Sequence, residues 1–265
     1  MTSKRSKKRT PPESPLYKTL RSWGSLSAWE GYACYQGQID GRDCKLVLPD
    51  EPDPGLRWAW RAEFFGQFAG VDLELVRRGF VLAYMDVSDH YGCPAAVDHW
   101  DAFYRWATGT LGLHPRPALI GLSRGGLMVY NWAAHHPEQT GCIYGDAPVM
   151  DFKSWPGGKG SSPGSPEDWQ KCLAAYGLNE AEALAYPLNP VDNLAPLAKQ
   201  RIPIIHVCGS ADEVVSVAEN TAAAASRYSD LGGEMTVILK GGVGHHPHGL
   251  EIPTRVVEFI LKYSR

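Results

Sequence analysis

The sequence predicts an α/β fold, with a mostly parallel central sheet, helices on both faces and an inserted cap. Short apolar runs such as Phe80–Met85 have the near-continuous hydrophobicity of strands that are buried on both faces. These runs alternate with helical patterns along most of the chain, as expected for parallel strands joined by helices. The 265 residues, of which 44% are hydrophobic, can build the core of one large domain of this kind.

The first half of the chain opens with an antiparallel pair and then begins the alternation. Asp40-Gly41 separates two strand-like runs, a pattern typical of a hairpin. A later helical pattern ends at Gly79 and carries basic residues in its last turn, as the helix dipole favours. The predicted elements are strands at Tyr32–Ile39, Cys44–Leu48 and Leu56–Trp60, a helix at Glu63–Arg78 and a strand at Phe80–Met85.

The second half continues the alternation but is interrupted at residues 151–200. This insertion contains two capped helix starts, at Ser165-Pro166 and at Asn179. It follows the carboxyl end of a strand, where open α/β sheets bind ligands, so we expect a cap at about 151–200 within a domain of residues 16–265. The other predicted elements are helices at Ala95–Leu111, Arg124–His135, Ser216–Leu231 and Pro253–Tyr263, and strands at Ala118–Gly121, Cys142–Tyr144, Ile202–Cys208 and Met235–Leu239.

Residues 1–15 are predicted to form a disordered basic tail, and the net charge of the whole chain is −3. This balance does not favour nucleic acid as a partner. The apolar runs are too short to span a membrane, and the basic start lacks the apolar segment of a signal peptide. We therefore expect no membrane or nucleic-acid partner and a cytoplasmic location by default, with a trimmed, exported form left open. The sequence does not predict the oligomeric state.

The six cysteines show no C-x-x-C pair and no metal-ligand spacing. Cys142 and Cys208 lie in apolar strand-like runs and are interpreted as small core residues. Cys34 and Cys44 flank the predicted hairpin turn and could face each other, although free thiols are the preferred interpretation.

The most informative motif is Gly121-Leu122-Ser123-Arg124-Gly125-Gly126, which joins a predicted strand to a predicted helix. A serine on such a turn is held clear of the backbone, and the flanking glycines let strand and helix approach closely. This arrangement is typical of the nucleophile elbow of serine hydrolases. A second G-x-S-x-G match contains Ser162, but it lies in a Gly/Pro/Ser run with no strand before it and is interpreted as a loop.

A serine nucleophile needs a histidine base and a group that orients the histidine. The glycine-rich stretch after the last predicted strand offers His245 as the first choice, His246 as the second and His248 as the third. The alternative is a metal-binding cluster, which the absence of a nearby acidic or Cys partner makes less favourable. The sequence therefore predicts no metal and no cofactor.

The orienting carboxylate should follow the preceding strand, and Asp212 lies on the loop just past Ile202–Cys208. A carboxylate there can accept the histidine Nδ1–H and stabilise the imidazolium as it forms. The alternative interpretation of Asp212 is the N-cap of the following helix. Asp146 and Asp151, which follow an earlier strand, are the fallback acids.

The chain order Ser123, Asp212, His245 is the order found in α/β-hydrolases, and the chain resembles that family over nearly all of residues 31–265. Its carriers are Gly121-x-Ser123-x-Gly125, Gly209-x-x-Asp212-x-Val214-Val215 and Gly244-His245. More narrowly, Trp58–Phe65, Asp151–Gly160 and Gly242–His248 resemble a group of bacterial α/β-hydrolases. That group is similar to acetyl-esterases and prolyl-oligopeptidase-like enzymes linked to polysaccharide breakdown, which implies a serine hydrolase fold and mechanism.

Two backbone N–H groups are expected to form an oxyanion hole. Arg124 N–H comes from the elbow, and Trp60 N–H is predicted as the second donor, because this chain has Trp60-Arg61 where many relatives carry a His-Gly pair. The guanidinium groups of Arg61 and Arg124 could form a positive substrate pocket or could equally pair with structural carboxylates. Further candidates for substrate binding are Asp86, His90, Trp155, Trp169 and His246, of which the first two could instead fix their loop and the tryptophans could instead pack the cap.

The predicted function is hydrolysis of a carboxylic ester through an acyl-enzyme, with a small acetyl-type acyl group on a carbohydrate as the favoured substrate. The first alternative is a prolyl-oligopeptidase-like peptidase or amidase, against which the sequence offers no propeller-sized N-terminal domain. The second alternative is a binding protein that keeps the fold, which the intact set of nucleophile, base and acid makes unfavourable.

Overall fold

The structure is a computed structural model that describes residues 15–264. Apart from Pro15, the predicted basic tail lies outside the described residues. The helices are α1 Pro15–Trp23, α2 Gly70–Arg77, α3 Pro94–Gly109, α4 Gly125–His135, α5 Pro166–Tyr176, α6 Glu180–Leu184, α7 Ala195–Lys199, α8 Ala223–Asp230 and α9 Thr254–Tyr263. The strands are β1 Ser25–Trp29, β2 Tyr32–Ile39, β3 Arg42–Leu48, β4 Trp58–Ala62, β5 Val81–Met85, β6 Ala118–Leu122, β7 Cys142–Asp146, β8 Ile204–Gly209 and β9 Met235–Lys240.

The nine strands form one sheet in the order β1-β2-β3-β5-β4-β6-β7-β8-β9. The pairs from β1 to β3 and between β3 and β5 are antiparallel, and the pairs from β5 through β4 to β9 are parallel. The carboxyl ends of β4 to β9 therefore lie along one edge of the sheet. This confirms the predicted α/β fold with an antiparallel start.

Alternating side chains of the sheet bury into two separate cores, one on each face. In β4, Trp58 and Trp60 pack with helices α3 and α4 on one face, whereas Ala59 packs with α2 and α9 on the other. Four tryptophans fill the first core, where Trp60 stacks on Trp100 at a centroid distance of 3.9 Å. Buried aromatic surface on both faces fixes the register of the central strands.

The predicted helix at Glu63–Arg78 is wrong at its start, because helix α2 begins only at Gly70. Glu63, Phe64 and Phe68 have φ values of 62°, 45° and 48°, and this left-handed backbone cannot continue a right-handed helix. The Arg61 guanidinium holds the turn by donating to the backbone carbonyls of Glu63, Phe64 and Gln67. The segment between β4 and α2 is therefore an ordered turn at the carboxyl edge of the sheet.

The insertion holds α5, α6 and α7, and it contributes most of a third apolar cluster. Phe152, Trp169 and Cys172 of the insertion pack there with Tyr91 and Leu127 of the main domain. The inserted segment is thus anchored close to the amino-terminal end of α4. Its role as a cap stays a prediction.

All six cysteines are free and buried, so Cys34 and Cys44 form no disulfide. No helix within residues 15–264 is both long enough and apolar enough to cross a membrane.

Candidate active site

Ser123 lies on a tight turn between β6 and α4, with a left-handed φ of 47°. Its backbone is fixed on both sides: Ser123 N–H donates to the carbonyl of Asp146, and its carbonyl accepts from Gly126 N–H and Val149 N–H, all at 2.9 Å. The turn therefore holds the hydroxyl at the carboxyl edge of the sheet, in the geometry expected of a nucleophile elbow.

The glycines around Ser123 stand where a side chain would collide with neighbouring backbone. A Cβ on Gly121 would lie 2.8 Å from the carbonyl oxygen of Gly125, and a Cβ on Gly125 would lie 2.8 Å from that of Ala62. A Cβ on Gly126 would lie 2.6 Å from the carbonyl oxygen of Val149. These close approaches explain the glycine pattern of the motif.

Ser162, from the second motif match, lies in the predicted loop rather than on an elbow. Its side chain is buried, and its hydroxyl accepts a hydrogen bond from Ser216 N–H at 3.1 Å. That contact gives Ser162 a structural partner instead of a histidine.

His245 and Asp212 converge on Ser123 from the loops after β9 and β8. Ser123 Oγ lies 3.0 Å from His245 Nε2, and His245 Nδ1 lies 2.7 Å from Asp212 Oδ2. Asp212 Oδ1 also accepts the backbone N–H groups of Val214 at 2.9 Å and Val215 at 2.8 Å. The hydrogen-bonded chain Ser–His–Asp can pass a proton from the hydroxyl to the imidazole.

The environment of Asp212 favours its ionised form. Burial alone would raise the pKa of Asp212, but the hydrogen bonds from His245 and from the N–H groups of Val215 and Val214 hold this pKa below its usual value. An ionised Asp212 requires the proton on Nδ1 of His245, which leaves the Nε2 lone pair facing Ser123. The alternative interpretation of Asp212 as a helix N-cap is wrong, because the next helical segment begins only at Ala218, with Val217 before it.

The fallback acid Asp146 is committed to a different histidine. Its Oδ1 lies 2.9 Å from Nδ1 of His248, its Oδ2 accepts Gly249 N–H at 2.6 Å, and the Tyr144 hydroxyl also donates to it. His248, the third-choice base, is therefore held by Asp146. The other fallback acid, Asp151, accepts the backbone N–H of Lys153 at 2.8 Å.

The predicted second oxyanion donor, Trp60, is wrong. Trp60 lies in the middle of β4 and is paired with Ala83 on one side and Leu119 on the other, so its backbone N–H faces a neighbouring strand. The segment that lies against the elbow is Ala62–Glu63, two residues further along. Arg124 lies directly before α4, where N–H groups have no partner within the helix, and its role as an oxyanion donor stays a prediction.

The prediction of Arg61 as a substrate-binding residue is also wrong. Its side chain is 1% exposed and forms an ion pair with Asp72, which is equally buried. The remaining guanidinium donors bind the carbonyls of the turn after β4. The structural interpretation of Arg61 is the correct one.

The Arg124 guanidinium forms no positive pocket, because three carboxylates surround it. Glu63 Oε2 and Asp89 Oδ1 each lie 3.2 Å from it, and Asp168 Oδ1 lies 3.6 Å away. Burial raises the pKa of Glu63. Asp168 also accepts a hydrogen bond of 2.6 Å from the Tyr91 hydroxyl. The sequence does not indicate this acidic cluster, although Glu63 and Asp89 do follow the ends of two strands.

Asp86 and His90 fix their own loop, as one of the two interpretations expected. Asp86 accepts Ser88 N–H at 2.9 Å. His90 lies 3.0 Å from the carbonyl of Ser88 through Nδ1 and 2.6 Å from an Arg42 nitrogen through Nε2. Neither contact leads to Ser123.

The two tryptophans of the insertion pack within it. Trp169 is buried, and its Nε1–H donates to Glu180 at 2.6 Å. Trp155 is half-buried against the third apolar cluster. His246, in contrast, is exposed and lies beside His245, with its ring stacked on Phe68 at 5.6 Å.

The amino-acid sequence matches the profile of one protein family. Residues 97–263, more than half of the chain, match the sequence profile of the prolyl oligopeptidase family. No protein among those with curated functions matches this sequence.

Several solved structures share this fold, and each of them is much longer than this chain. The structure of dipeptidyl peptidase 4 from Porphyromonas gingivalis has a TM-score of 0.65 at 14% identity, covering 94% of this chain and 37% of that one. A puromycin-hydrolyzing peptidase from Mycobacterium tuberculosis has a TM-score of 0.66 at 14% identity, covering 88% of this chain and 39% of that one. A puromycin hydrolase has a TM-score of 0.64 at 17% identity, covering 87% and 39%. The chain thus spans less than two fifths of the length of these neighbours.

Proposed function

Because the chain belongs to the prolyl oligopeptidase family of serine hydrolases, we propose that it cleaves a peptide or amide bond through an acyl-enzyme. The observation that carries this proposal is the hydrogen-bonded chain from Ser123 Oγ through His245 to Asp212. The peptidases among the structural neighbours favour an amide over an ester as the scissile bond. This reverses the order of the two functions that the sequence alone suggested.

The proposed reaction begins with attack of Ser123 Oγ on the carbonyl carbon of the substrate. His245 Nε2 takes the hydroxyl proton as the new C–O bond forms, and Asp212 stabilises the imidazolium. The N–H of Arg124 donates to the developing oxyanion. His245 then gives the proton to the leaving amine as the C–N bond breaks. A water molecule then attacks the carbonyl carbon of the acyl-enzyme, and His245 takes the water proton and returns it to Ser123 Oγ as the ester bond breaks. The carboxylic acid leaves, and Ser123 is free again.

The acidic cluster around Arg124 favours a substrate with a free amino group. Three carboxylates, those of Glu63, Asp89 and Asp168, face one guanidinium, so the acidic groups outnumber the cation at this site. Asp89 is 54% exposed, so a substrate ammonium group can reach it. Since Arg124 directly follows Ser123 in the chain, we propose that this cluster lies beside the scissile bond.

The second candidate function is hydrolysis of a small carboxylic ester on a carbohydrate. Trp58–Phe65 and Asp151–Gly160 resemble a group of bacterial α/β-hydrolases that is similar to acetyl-esterases as well as to prolyl-oligopeptidase-like enzymes, and the likeness to acetyl-esterases favours this candidate. The stacking contribution expected from Trp169 is lost, because that ring is buried in the insertion.

The substrate class can be tested with a matched panel of chromogenic compounds. We expect dipeptide p-nitroanilides with a free amino group to have a kcat/KM at least roughly tenfold above their N-acetylated counterparts, since one ion pair discriminates by about this factor. Asp89→Asn should bring the kcat/KM values of the free and the N-acetylated compounds closer together. The matched control Asp98→Asn, on helix α3, should keep the kcat/KM ratio of the parent. Turnover restricted to acetylated sugars, with no p-nitroanilide cleavage, would make the ester candidate correct.

A further inference from the structure

Three histidines crowd the active site, and the proposed reaction uses one of them. The ring centroids of His245, His246 and His248 lie 4.9, 4.7 and 4.9 Å apart, with interplanar angles of 70°, 79° and 84°. One nitrogen of each ring lies within 4.8 Å of a nitrogen of the other two. Phe68 supports two of the rings from outside, stacking on His246 and meeting His248 edge-on at 5.1 Å.

This spacing fits a tetrahedral metal ion bound by three imidazoles. With Zn–N bonds of about 2.0–2.1 Å and a ring centre about 1.1 Å behind each nitrogen, two ring centroids lie about 5 Å apart at the tetrahedral angle. The three rings already stand at this separation. Their nitrogens need only turn inward, to about 3.3 Å from one another, for all three to reach one ion.

Buried carboxylates stand behind two of the three histidines. Asp212 holds Nδ1 of His245, and Asp146 holds Nδ1 of His248. A carboxylate at Nδ1 fixes the tautomer in which Nε2 carries a lone pair, which is the arrangement that supports histidine ligands of zinc. This gives the buried Asp146–His248 pair a role that the hydrolytic reaction leaves open.

From the sequence alone a metal site is disfavoured, because the histidines have no evident acidic or Cys partner. The fold supplies both carboxylates from elsewhere, since Asp146 ends β7 and Asp212 follows β8. Parallel strands bring their carboxyl ends to one edge, so residues far apart in sequence become neighbours there.

We propose that His245, His246 and His248 form a binding site for one Zn²⁺ ion, and that the bound ion reversibly inhibits the hydrolase. Zn²⁺ and the Ser123 proton compete for the same lone pair on His245 Nε2. An ion bound there leaves Ser123 without a base, and removal of the ion restores it. The inhibitory half of the inference rests on the proposed function, whereas the binding half does not.

The binding half is tested with the Ser123→Ala chain, in which activity plays no part. Competition with a chromophoric chelator should show one Zn²⁺ per chain, and Co²⁺ in its place should give the intense visible absorption of a tetrahedral site. His246→Ala should weaken Zn²⁺ binding at least roughly tenfold, and Asp146→Asn, behind His248, by about 10–100-fold. Since Asp146 is buried, its variant is first checked for an unchanged circular dichroism spectrum.

The matched control is His135→Ala, which removes an exposed histidine that neighbours His136 on the far end of α4. This variant should bind Zn²⁺ as tightly as its parent. Loss of Zn²⁺ binding in His135→Ala, together with full Zn²⁺ binding in His246→Ala, would overturn the inference. A chain that does not bind one Zn²⁺ ion per molecule would overturn it as well.

The inhibitory half is tested on the otherwise unmodified chain. Zn²⁺ should suppress turnover, EDTA should restore it, and His246→Ala should raise the Zn²⁺ concentration for half inhibition at least roughly tenfold, relative to its own uninhibited rate. Turnover that is indifferent to Zn²⁺ would overturn the inference while leaving the proposed function intact. A chain that binds Zn²⁺ at the three histidines but hydrolyses nothing would overturn the proposed function instead.

Discussion

The two His–Asp pairs at the carboxyl edge of the sheet provide a sharp test of the reaction. His245–Asp212 and His248–Asp146 have similar Nδ1–carboxylate distances, 2.7 and 2.9 Å, yet only the first is joined to Ser123. Replacing each aspartate by asparagine keeps the side-chain shape and removes the charge. The two variants should therefore differ strongly in activity.

The expected loss for Asp212→Asn follows from the tautomer of His245. An asparagine amide offers its N–H₂ to Nδ1, which moves the imidazole proton to Nε2 and removes the lone pair that faces Ser123. The imidazolium also loses its carboxylate. Such a change in a Ser–His–Asp triad lowers kcat by about 10⁴-fold, equivalent to about 5.4 kcal/mol of transition-state stabilisation.

Asp146→Asn is expected to lower the stability of the fold rather than the rate of the reaction. Asp146 is 1% exposed and holds His248, Gly249 and Tyr144, none of which is joined to Ser123 Oγ. Breaking buried hydrogen bonds of this kind costs about 1–3 kcal/mol each. We expect the free energy of unfolding in urea to fall by that order, with a kcat within about tenfold of the parent.

Both variants are measured by kcat on the most active p-nitroanilide and on p-nitrophenyl acetate, with urea unfolding alongside. If Asp146→Asn abolishes turnover while Asp212→Asn retains it, the assignment of the acid is wrong. Equal, modest losses in both would refute the argument from the tautomer.

Two further predictions concern buried titratable side chains. Burial lowers the pKa of His206 to about 3, so the folded chain keeps it neutral while the unfolded chain binds a proton below about pH 6.5. His206 therefore costs stability as pH falls, about 2 kcal/mol between pH 7 and 5, and urea unfolding of His206→Gln should lack this part of the loss. Arg61→Met leaves Asp72 unpaired in the core and should lower the free energy of unfolding by about 3–5 kcal/mol. Arg61→Met with Asp72→Leu should restore part of this loss, since the carbonyls of the turn after β4 still lack their donor. Full stability of the single variant would contradict the ion-pair argument.

The sequence predicts the fold and the convergence of the triad positions because both depend on regular features. Apolar runs identify the parallel strands, and parallel strands place their following loops along one edge. Ser123, Asp212 and His245 each follow a predicted strand, and the structure brings them into one hydrogen-bonded chain. Their catalytic roles stay a prediction.

The remaining site residues depend on contacts that the sequence does not show. The sequence predicts a strand that ends at Trp60, whereas β4 ends at Ala62, and this shift of two residues places the turn at Glu63 instead. The sequence does not distinguish the roles of Arg61 and Arg124. In the structure, the Arg61 side chain is buried in an ion pair with Asp72. The Arg124 side chain is surrounded by carboxylates from three separate segments of the chain.

The central claim, that Ser123 is the activated nucleophile, is tested most directly by covalent labelling with a fluorophosphonate probe, followed by intact-mass measurement. The account predicts one adduct on the unmodified chain, none on Ser123→Ala and one on the control Ser162→Ala. An unmodified chain that does not label, or a Ser123→Ala chain that still labels, would contradict it.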